Sequence, residues 1–99
     1  IYMPAQALTN DELLQQLEAL PEWVHQNDAL TRTITLGDFR EAMQFMIAIG
    51  FEAESLQHHP EITNVYNRVS IRLTTHDAGN KVTALDIALA QAIDSLFTP

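Results

Sequence analysis

The feature that most constrains the fold is the strict alternation of apolar and polar side chains over residues 68–74. Val69, Ile71 and Leu73 fall on one side of an extended chain, and the side chains between them are polar. Successive side chains of a β-strand point to opposite faces of the sheet, so one face of this strand is predicted to be buried. A strand of this kind needs sheet neighbours and a covering layer, which indicates a layered domain.

Three further segments are predicted to be strands, and turn residues join them in pairs. Asn27 and Asp28 separate the first pair, and a tight turn near Tyr66 and Asn67 separates the second pair. Two hairpins favour a four-stranded antiparallel sheet. The predicted strands cover residues 23–25, 30–35, 60–64 and 68–75.

Helical spacing predicts three helices, of which the first begins near Thr9 and stops at Pro21. Thr9 and Glu12 have the spacing of a capping box. The other two helices are predicted over residues 39–53 and 83–96. We therefore predict an α+β fold in the order α-β-β-α-β-β-α, with three helices packed on one face of the sheet. Ninety-nine residues make one domain, over residues 1–99.

The second helix is apolar on every side in its middle, at Phe-Met-Ile-Ala-Ile. A helix of this kind has two buried faces, whereas a surface helix of a small domain shows one apolar stripe. We predict that a second subunit covers the second face, giving a homo-dimer or homo-tetramer through this helix and the sheet edge. The alternative is that Met46 and Ala48 are tolerated at the surface.

The composition excludes several classes of function. The chain has no cysteine, which removes disulfides, thiolate zinc sites and cysteine nucleophiles and fits a reducing compartment. A net charge of −8 and five unclustered basic residues argue against direct binding of nucleic acid. No apolar run approaches the ~18 residues of a membrane span, and no signal-peptide pattern is present. We expect no membrane partner, a cytoplasmic location and initiation at Met3.

Three of the four histidines lie between residues 52 and 76. Pro60 restricts His59 to an extended conformation, so the rings of His58 and His59 should point in different directions. Alternation along the last strand places His76 at the strand end, on the polar face. One ring of the adjacent pair could therefore join His76. The fourth histidine, His25, is most simply a polar strand residue.

Three interpretations of these histidines remain open from the residues alone. A metal site could combine them with Glu54 or Asp86, but neither His-x-x-x-His nor His-x-His spacing is present. A solvated polar loop requires no convergence at all. An acid–base site requires imidazoles that meet in one pocket, and it needs neither a metal nor a cysteine.

A spaced set of residues resembles the signature of the pterin-4a-carbinolamine dehydratases. The set consists of Glu54, His58-His59-Pro60, Tyr66, His76 and Asp86. The strings HHPEITNVYNRVSIRLTTHD and LDIALA are similar to the most recognisable segments of that family, and the detailed resemblance covers residues 51–89. It implies the same element order and a lyase that dehydrates 4a-hydroxytetrahydropterin (pterin-4a-carbinolamine) to quinonoid dihydropterin, in recycling of tetrahydrobiopterin for aromatic amino acid hydroxylases. It also implies metal-free histidine catalysis with no separate cofactor, since the pterin is the substrate.

The resemblance further implies roles for individual residues. His58 and His76 would transfer protons, and either could serve as acid according to which face of the pterin bears the hydroxyl. His59 would take part in catalysis or bind the pterin. Glu54 lies four residues before His58, so the end of the second helix could bring its carboxylate to that ring. Glu54 and Asp86 would also help to bind the substrate, although the spacing Thr-x-x-Asp is also that of a helix cap.

The chain departs from the family pattern at three positions. Family members often have an aromatic residue where this chain has Ile62, an aspartate where it has Gln57, and an arginine where it has Leu85. These departures leave substrate affinity open, but none removes a histidine. We expect Tyr66 to have a structural role.

Two other functions compete with the dehydratase. Animal members of the family also act as dimerisation cofactors for a transcription factor, so this chain could be a non-catalytic interaction module or assembly factor using its apolar second helix. A metal-dependent lyase is the third possibility.

Overall fold

The computed structural model describes residues 4–97, so Met3 and both ends of the 1–99 range lie outside the described residues. The predicted element order and the α+β fold class are confirmed. A short 3₁₀ turn, His76–Ala78, precedes the last helix. The helices are α1 (Asn10–Leu17), α2 (Phe39–Leu56) and α3 (Ala84–Ser95), and the strands are β1 (Val24–Gln26), β2 (Ala29–Thr35), β3 (Glu61–Val65) and β4 (Arg68–Leu73).

The four strands form one antiparallel sheet in the order β1-β2-β4-β3. The central pair runs in register from Leu30 opposite Leu73 to Thr35 opposite Arg68. The apolar face predicted for β4 is fully buried beneath the helices. The strand ends at Leu73, earlier than predicted, because Thr75 pairs with the chain only through an isolated bridge.

Helix α1 begins where its capping box predicts. The Glu12 amide donates to Thr9 Oγ1 at 3.1 Å, and the Thr9 amide donates to Glu12 Oε1 at 2.9 Å. These two bonds satisfy amides that the first helical turn leaves without partners. The buried stripe of α1 is narrow, since Leu13 is buried whereas the neighbouring Leu14 is 66% exposed. The helix ends at Leu17, before Pro21.

Helix α2 packs one face on the sheet and leaves another apolar face uncovered. Ala42, Phe45, Ile49 and Ala53 are buried. The residues Phe39, Met43, Ile47 and Phe51, spaced four apart, form what we name the outer stripe of α2, and they are 47%, 40%, 56% and 73% exposed. Helical residues four apart lie on the same side of a helix. The uncovered face is therefore an apolar strip formed by these four residues, whereas Met46 packs against the core and Ala48 is half-buried.

Helix α3 is fixed to the sheet at its far end. Asp94 accepts hydrogen bonds from Trp23 Nε1 at 2.8 Å and from Arg32 at 2.5 Å. The Arg32 guanidinium also stacks over the Phe97 ring. Because Asp94 lies near the end of the helix, these contacts fix the last turn of α3 in place. No helix among residues 4–97 is long and apolar enough to cross a membrane.

The buried face of β4 should carry much of the stability of the domain. Leu73 is completely buried and Leu14 is mostly exposed. The same Leu→Ala truncation at the two positions therefore isolates the effect of burial on the free energy of unfolding. We expect Leu73→Ala to lower the free energy of unfolding by about 2–5 kcal/mol. Leu14→Ala should lower it by less than about 1 kcal/mol, since surface changes have small effects. Urea denaturation monitored by the Trp23 fluorescence measures both; equal losses would contradict the assigned core.

Candidate active site

A pocket of about 310 Å³ opens where the end of α2, the end of β4 and the start of α3 meet. Three of the chain's histidines lie around it, as the acid–base interpretation requires. The residues that line it are Gln57, His58, His59, Thr74, Thr75, His76, Asp77 and Leu85. These residues come from three separate segments of the chain, so the pocket exists only in the folded domain.

The ring of His58 is turned inward by the way α2 ends. Gln57 adopts the left-handed helical conformation, with φ 51° and ψ 40°, which reverses the chain direction after Leu56. The His58 amide then donates to the Ala53 carbonyl at 3.1 Å and ties the reversal to the last helical turn. His58 is only 8% exposed as a result.

The partner of His58 is Asp86, whose Oδ1 lies 2.5 Å from His58 Nε2. Asp86 is completely buried in the first turn of α3. Its Oδ2 accepts a hydrogen bond from the Thr83 amide at 2.9 Å, which completes a capping box, and a second from Thr75 Oγ1 at 2.8 Å. Asp86 therefore caps α3 and holds His58 at the same time, so the two roles considered for it coexist.

The predicted pairing of Glu54 with His58 is wrong. Glu54 Oε1 lies 2.9 Å from Nε2 of His59, and both side chains are largely exposed. A helix that continued through His58 would bring Glu54 to that ring, but the reversal at Gln57 carries the ring inward and returns His59 over the last turn of α2. The hydrogen bond from His59, reinforced by its charge, lowers the pKa of Glu54.

His76 lies on the pocket rim, but not at a strand end as predicted. It begins the 3₁₀ turn, because the Thr75 carbonyl accepts from the amides of Ala78 and Asn80, each at 3.1 Å, and folds the chain back on itself. The His76 side chain is 90% exposed. Its Nδ1 lies 3.4 Å from Asp77 Oδ1, so the ring is held far more loosely than that of His58.

The three departures from the family pattern have different structural consequences. Leu85 is half-buried in the pocket wall, and no lysine or arginine within residues 4–97 lines the pocket. Gln57 Nε2 donates to the Glu54 carbonyl at 2.8 Å and so caps the end of α2. Ile62 packs against the core instead of the pocket. Leu85 therefore gives the pocket an apolar wall, and no lysine or arginine of residues 4–97 places a positive charge beside it.

Tyr66 and His25 lie outside this pocket. Tyr66 is 63% exposed in the turn between β3 and β4, where its φ is 50°. His25 lies exposed on β1, as expected for a polar strand residue. Within residues 4–97, no group of three or more His, Cys, Asp or Glu residues is arranged to hold a metal ion.

Two further residues belong to the site: Thr83, which the sequence predicts only as a helix cap, and Thr75, which it does not predict. Both are buried, and their hydroxyl oxygens lie 2.7 Å apart. The capping-box spacing was the available signal for Thr83. Thr75 gives no local signal, because its partners come to it only through the packing of α3 against the end of β4.

Comparisons with known proteins point to one family. The family model described as Pterin 4 alpha carbinolamine dehydratase matches residues 6–96. A protein of Opitutus terrae whose name refers to that dehydratase is 52% identical over 89 residues, covering 90% of this chain and 92% of its relative. A protein of Rhizorhabdus wittichii named in the same way is 45% identical over 96 residues, covering 95% and 98%.

A solved structure is also similar to the chain over nearly its whole length. The crystal structure of a transcriptional coactivator/pterin dehydratase from Brucella melitensis shares 40% sequence identity with it and superposes with a TM-score of 0.87. The match covers 92% of this chain and 98% of the Brucella chain.

The pairing of Glu54 with His59 can be tested by titration. The lowered pKa of Glu54 should move up towards the ordinary glutamate range in His59→Ala, because the variant lacks the hydrogen bond that favours the carboxylate. Carboxyl carbon NMR measures the midpoint. Glu12, whose pKa is lowered by its bonds to Thr9, is the internal control and should not move.

The same pairing fixes the sign of a pH effect on stability. A carboxyl with a lowered pKa in the folded state stabilises the fold above its unfolded pKa, and the contribution is lost as the pH falls through the folded value. Wild type should therefore lose slightly more stability than His59→Ala over that acidic interval. An unchanged Glu54 midpoint in the variant would contradict the pairing.

Proposed function

The chain belongs to the pterin-4a-carbinolamine dehydratase family, and from this premise we propose that it removes water from 4a-hydroxytetrahydropterin to give quinonoid dihydropterin. The observation that carries the proposal is the placement of His58, His59 and His76 around one pocket. The pterin is the substrate, and the proposed reaction uses no further cofactor. Its product is an oxidised pterin that a reductase must reduce before reuse, which places the reaction in recycling of a pterin cofactor such as tetrahydrobiopterin.

The proposed step is an elimination assisted by an acid and a base. A protonated imidazole gives its proton to the hydroxyl oxygen, the carbon–oxygen bond breaks, and water leaves. A neutral imidazole takes the proton from the adjacent ring nitrogen, whose electron pair forms the new carbon–nitrogen double bond. Histidine suits both tasks because its ordinary pKa lies near neutral pH. Positioned acid–base groups of this kind typically accelerate reactions by about 10²–10⁴-fold.

His58 and His76 are the proposed proton-transfer pair. His58 is held rigidly by a buried carboxylate, whereas His76 is exposed and free to adjust to the substrate. Either can act as the acid, according to which face of the pterin carries the hydroxyl. His59, which is exposed and paired with Glu54, is proposed to contact the pterin at the rim of the pocket.

Catalysis can be tested with substitutions that spare the buried carboxylate. His58→Gln keeps an amide N–H for Asp86 but cannot transfer protons, and His76→Ala removes an exposed ring. Each should lower the rate of carbinolamine loss by on the order of 10²-fold, because one proton transfer loses its catalyst. The rate is followed spectroscopically with chemically generated carbinolamine.

His25→Gln is the matched control, since this fourth histidine lies on β1 away from the pocket. Its rate should equal that of wild type. Circular dichroism should show that all three variants are folded. Wild-type rates in both His58→Gln and His76→Ala would overturn the proposal, and loss of wild-type activity on treatment with a chelator would favour the metal-dependent lyase instead.

A second copy of the chain is the proposed occupant of the outer stripe of α2. The four stripe residues carry no charge and recur every four positions, so they form one of the ridges by which two helices interdigitate. The same stripe on a second copy is complementary to it about a two-fold axis. The free edge of β3 supplies a second contact in the proposed homo-dimer or homo-tetramer.

The assembly can be tested by placing one charge in the stripe. Ile47→Glu should convert the assembly to monomers, because an ionised carboxylate is costly to bury without a partner. Leu14→Glu, which adds the same charge on the exposed side of α1, should leave the assembly intact. Light scattering coupled to size-exclusion chromatography measures the mass. A monomeric wild type would exclude a second copy as the occupant of the stripe and would leave a different partner as the alternative.

A further inference from the structure

Thr75 occupies a buried position between the two histidines proposed to transfer protons. It is 4% exposed and lies at the junction of β4, the 3₁₀ turn and the first turn of α3. Its Oγ1 lies 2.8 Å from Asp86 Oδ2 and 2.7 Å from Thr83 Oγ1. The hydroxyl is therefore part of a buried chain of hydrogen bonds that ends at the carboxylate holding His58.

The direction of that chain follows from the number of protons available. A hydroxyl has one proton to donate, and Thr75 donates it to the Asp86 carboxylate. Thr75 must then accept from the Thr83 hydroxyl, whose own oxygen accepts from the Leu85 amide at 3.2 Å. Every donated proton in this series of hydrogen bonds is therefore directed towards Asp86. With the Thr83 amide, Oδ2 receives two donors from two different elements, so the carboxylate cannot rotate freely.

Because Asp86 is held by these two donors, its position determines which nitrogen of His58 carries the proton. Oδ1 of Asp86 is left facing His58 Nε2, so the ring is held with a proton on that nitrogen. Every buried side-chain nitrogen and oxygen in the described chain has a hydrogen-bond partner. Nδ1 of His58 has no partner among the hydrogen bonds of residues 4–97, so it reaches the surface, and the surface at His58 is the pocket.

The backbone of Thr75 holds the other histidine. Its amide donates to the Lys81 carbonyl at 2.9 Å, and its carbonyl closes the turn that begins with His76. One residue thus anchors the loop of His76 through its main chain and the carboxylate behind His58 through its side chain.

We propose that Thr75 is a positioning residue, whose hydroxyl orients Asp86 so that His58 keeps its proton on Nε2 and presents Nδ1 to the substrate. The inference rests on the proposed dehydratase function for its kinetic consequence, but not for its structural one. It assigns to the threonine a role that the neighbouring Thr83 cannot fill alone, because Thr83 reaches Asp86 only through its amide.

The kinetic test compares Thr75→Val with Thr75→Ser. Valine keeps the shape of the side chain and removes the hydroxyl, so kcat should fall roughly tenfold, as expected for a slightly misplaced catalytic group, while KM stays within about twofold. Serine restores the hydroxyl and should return kcat to within about twofold of wild type. Thr33→Val, which makes the same change on the open face of the sheet, should have the wild-type rate.

The structural test does not depend on activity. Nitrogen NMR of the neutral imidazole should show His58 as a single Nε2–H tautomer in wild type and as a mixture of tautomers in Thr75→Val. If wild type lacks dehydratase activity but the tautomers of His58 still differ between wild type and Thr75→Val as expected, the proposed function fails and the role of Thr75 stands. A single tautomer in Thr75→Val, or a serine variant as slow as the valine variant, overturns the inference. Thr75→Ala, which is smaller, replaces the valine variant if the latter does not fold.

Discussion

The contact between the Asp86 carboxylate and the His58 ring is the interaction on which the candidate site depends. It joins residues 28 positions apart and bridges the end of α2 to the start of α3. A carboxylate that is completely buried costs several kcal/mol unless donors surround it. Here the donors are a helix-capping amide, a threonine hydroxyl and an imidazole, and the N-terminal end of the helix dipole adds favourable electrostatics. The same carboxylate therefore caps the start of a helix, accepts a hydrogen bond from Thr75 and orients the ring of His58.

Helix α3 is held in place at each end by a different carboxylate. Asp94 ties its last turn to Trp23 and Arg32, and Asp86 ties its first turn to the pocket. Between these anchors, Leu89 and Ile93 are completely buried. The pocket residues thus come from loop and strand ends, but they are placed by a rigid helix, which is how a small domain can hold a defined site at its edge.

The sequence allowed prediction of the elements whose causes are local. The alternation in β4, the capping box at Thr9 and the paired turn residues each act within a few positions, so the fold class and element order followed from them. The pairing of Glu54 was wrong because Gln57, a residue with no strong preference for the left-handed conformation, adopts it here. Thr75 was missed for a related reason, since its partners come from a distant helix. The spacing predicted which histidines lie at the site, but it did not predict that His58 is buried and His76 exposed.

The unequal burial of His58 and His76 has a consequence for interpreting related chains. Removal of the imidazole at position 58 would leave an interior negative charge without one of its ligands, and breaking a buried pair in this way costs about 3–5 kcal/mol. A related chain that had lost its activity would still need a hydrogen-bond donor at this position to keep its stability. No such architectural demand protects the solvent-facing ring at position 76. A related chain that has lost its activity could therefore retain a histidine at position 58. A histidine retained at position 76 is the better indication that a related chain is catalytically active.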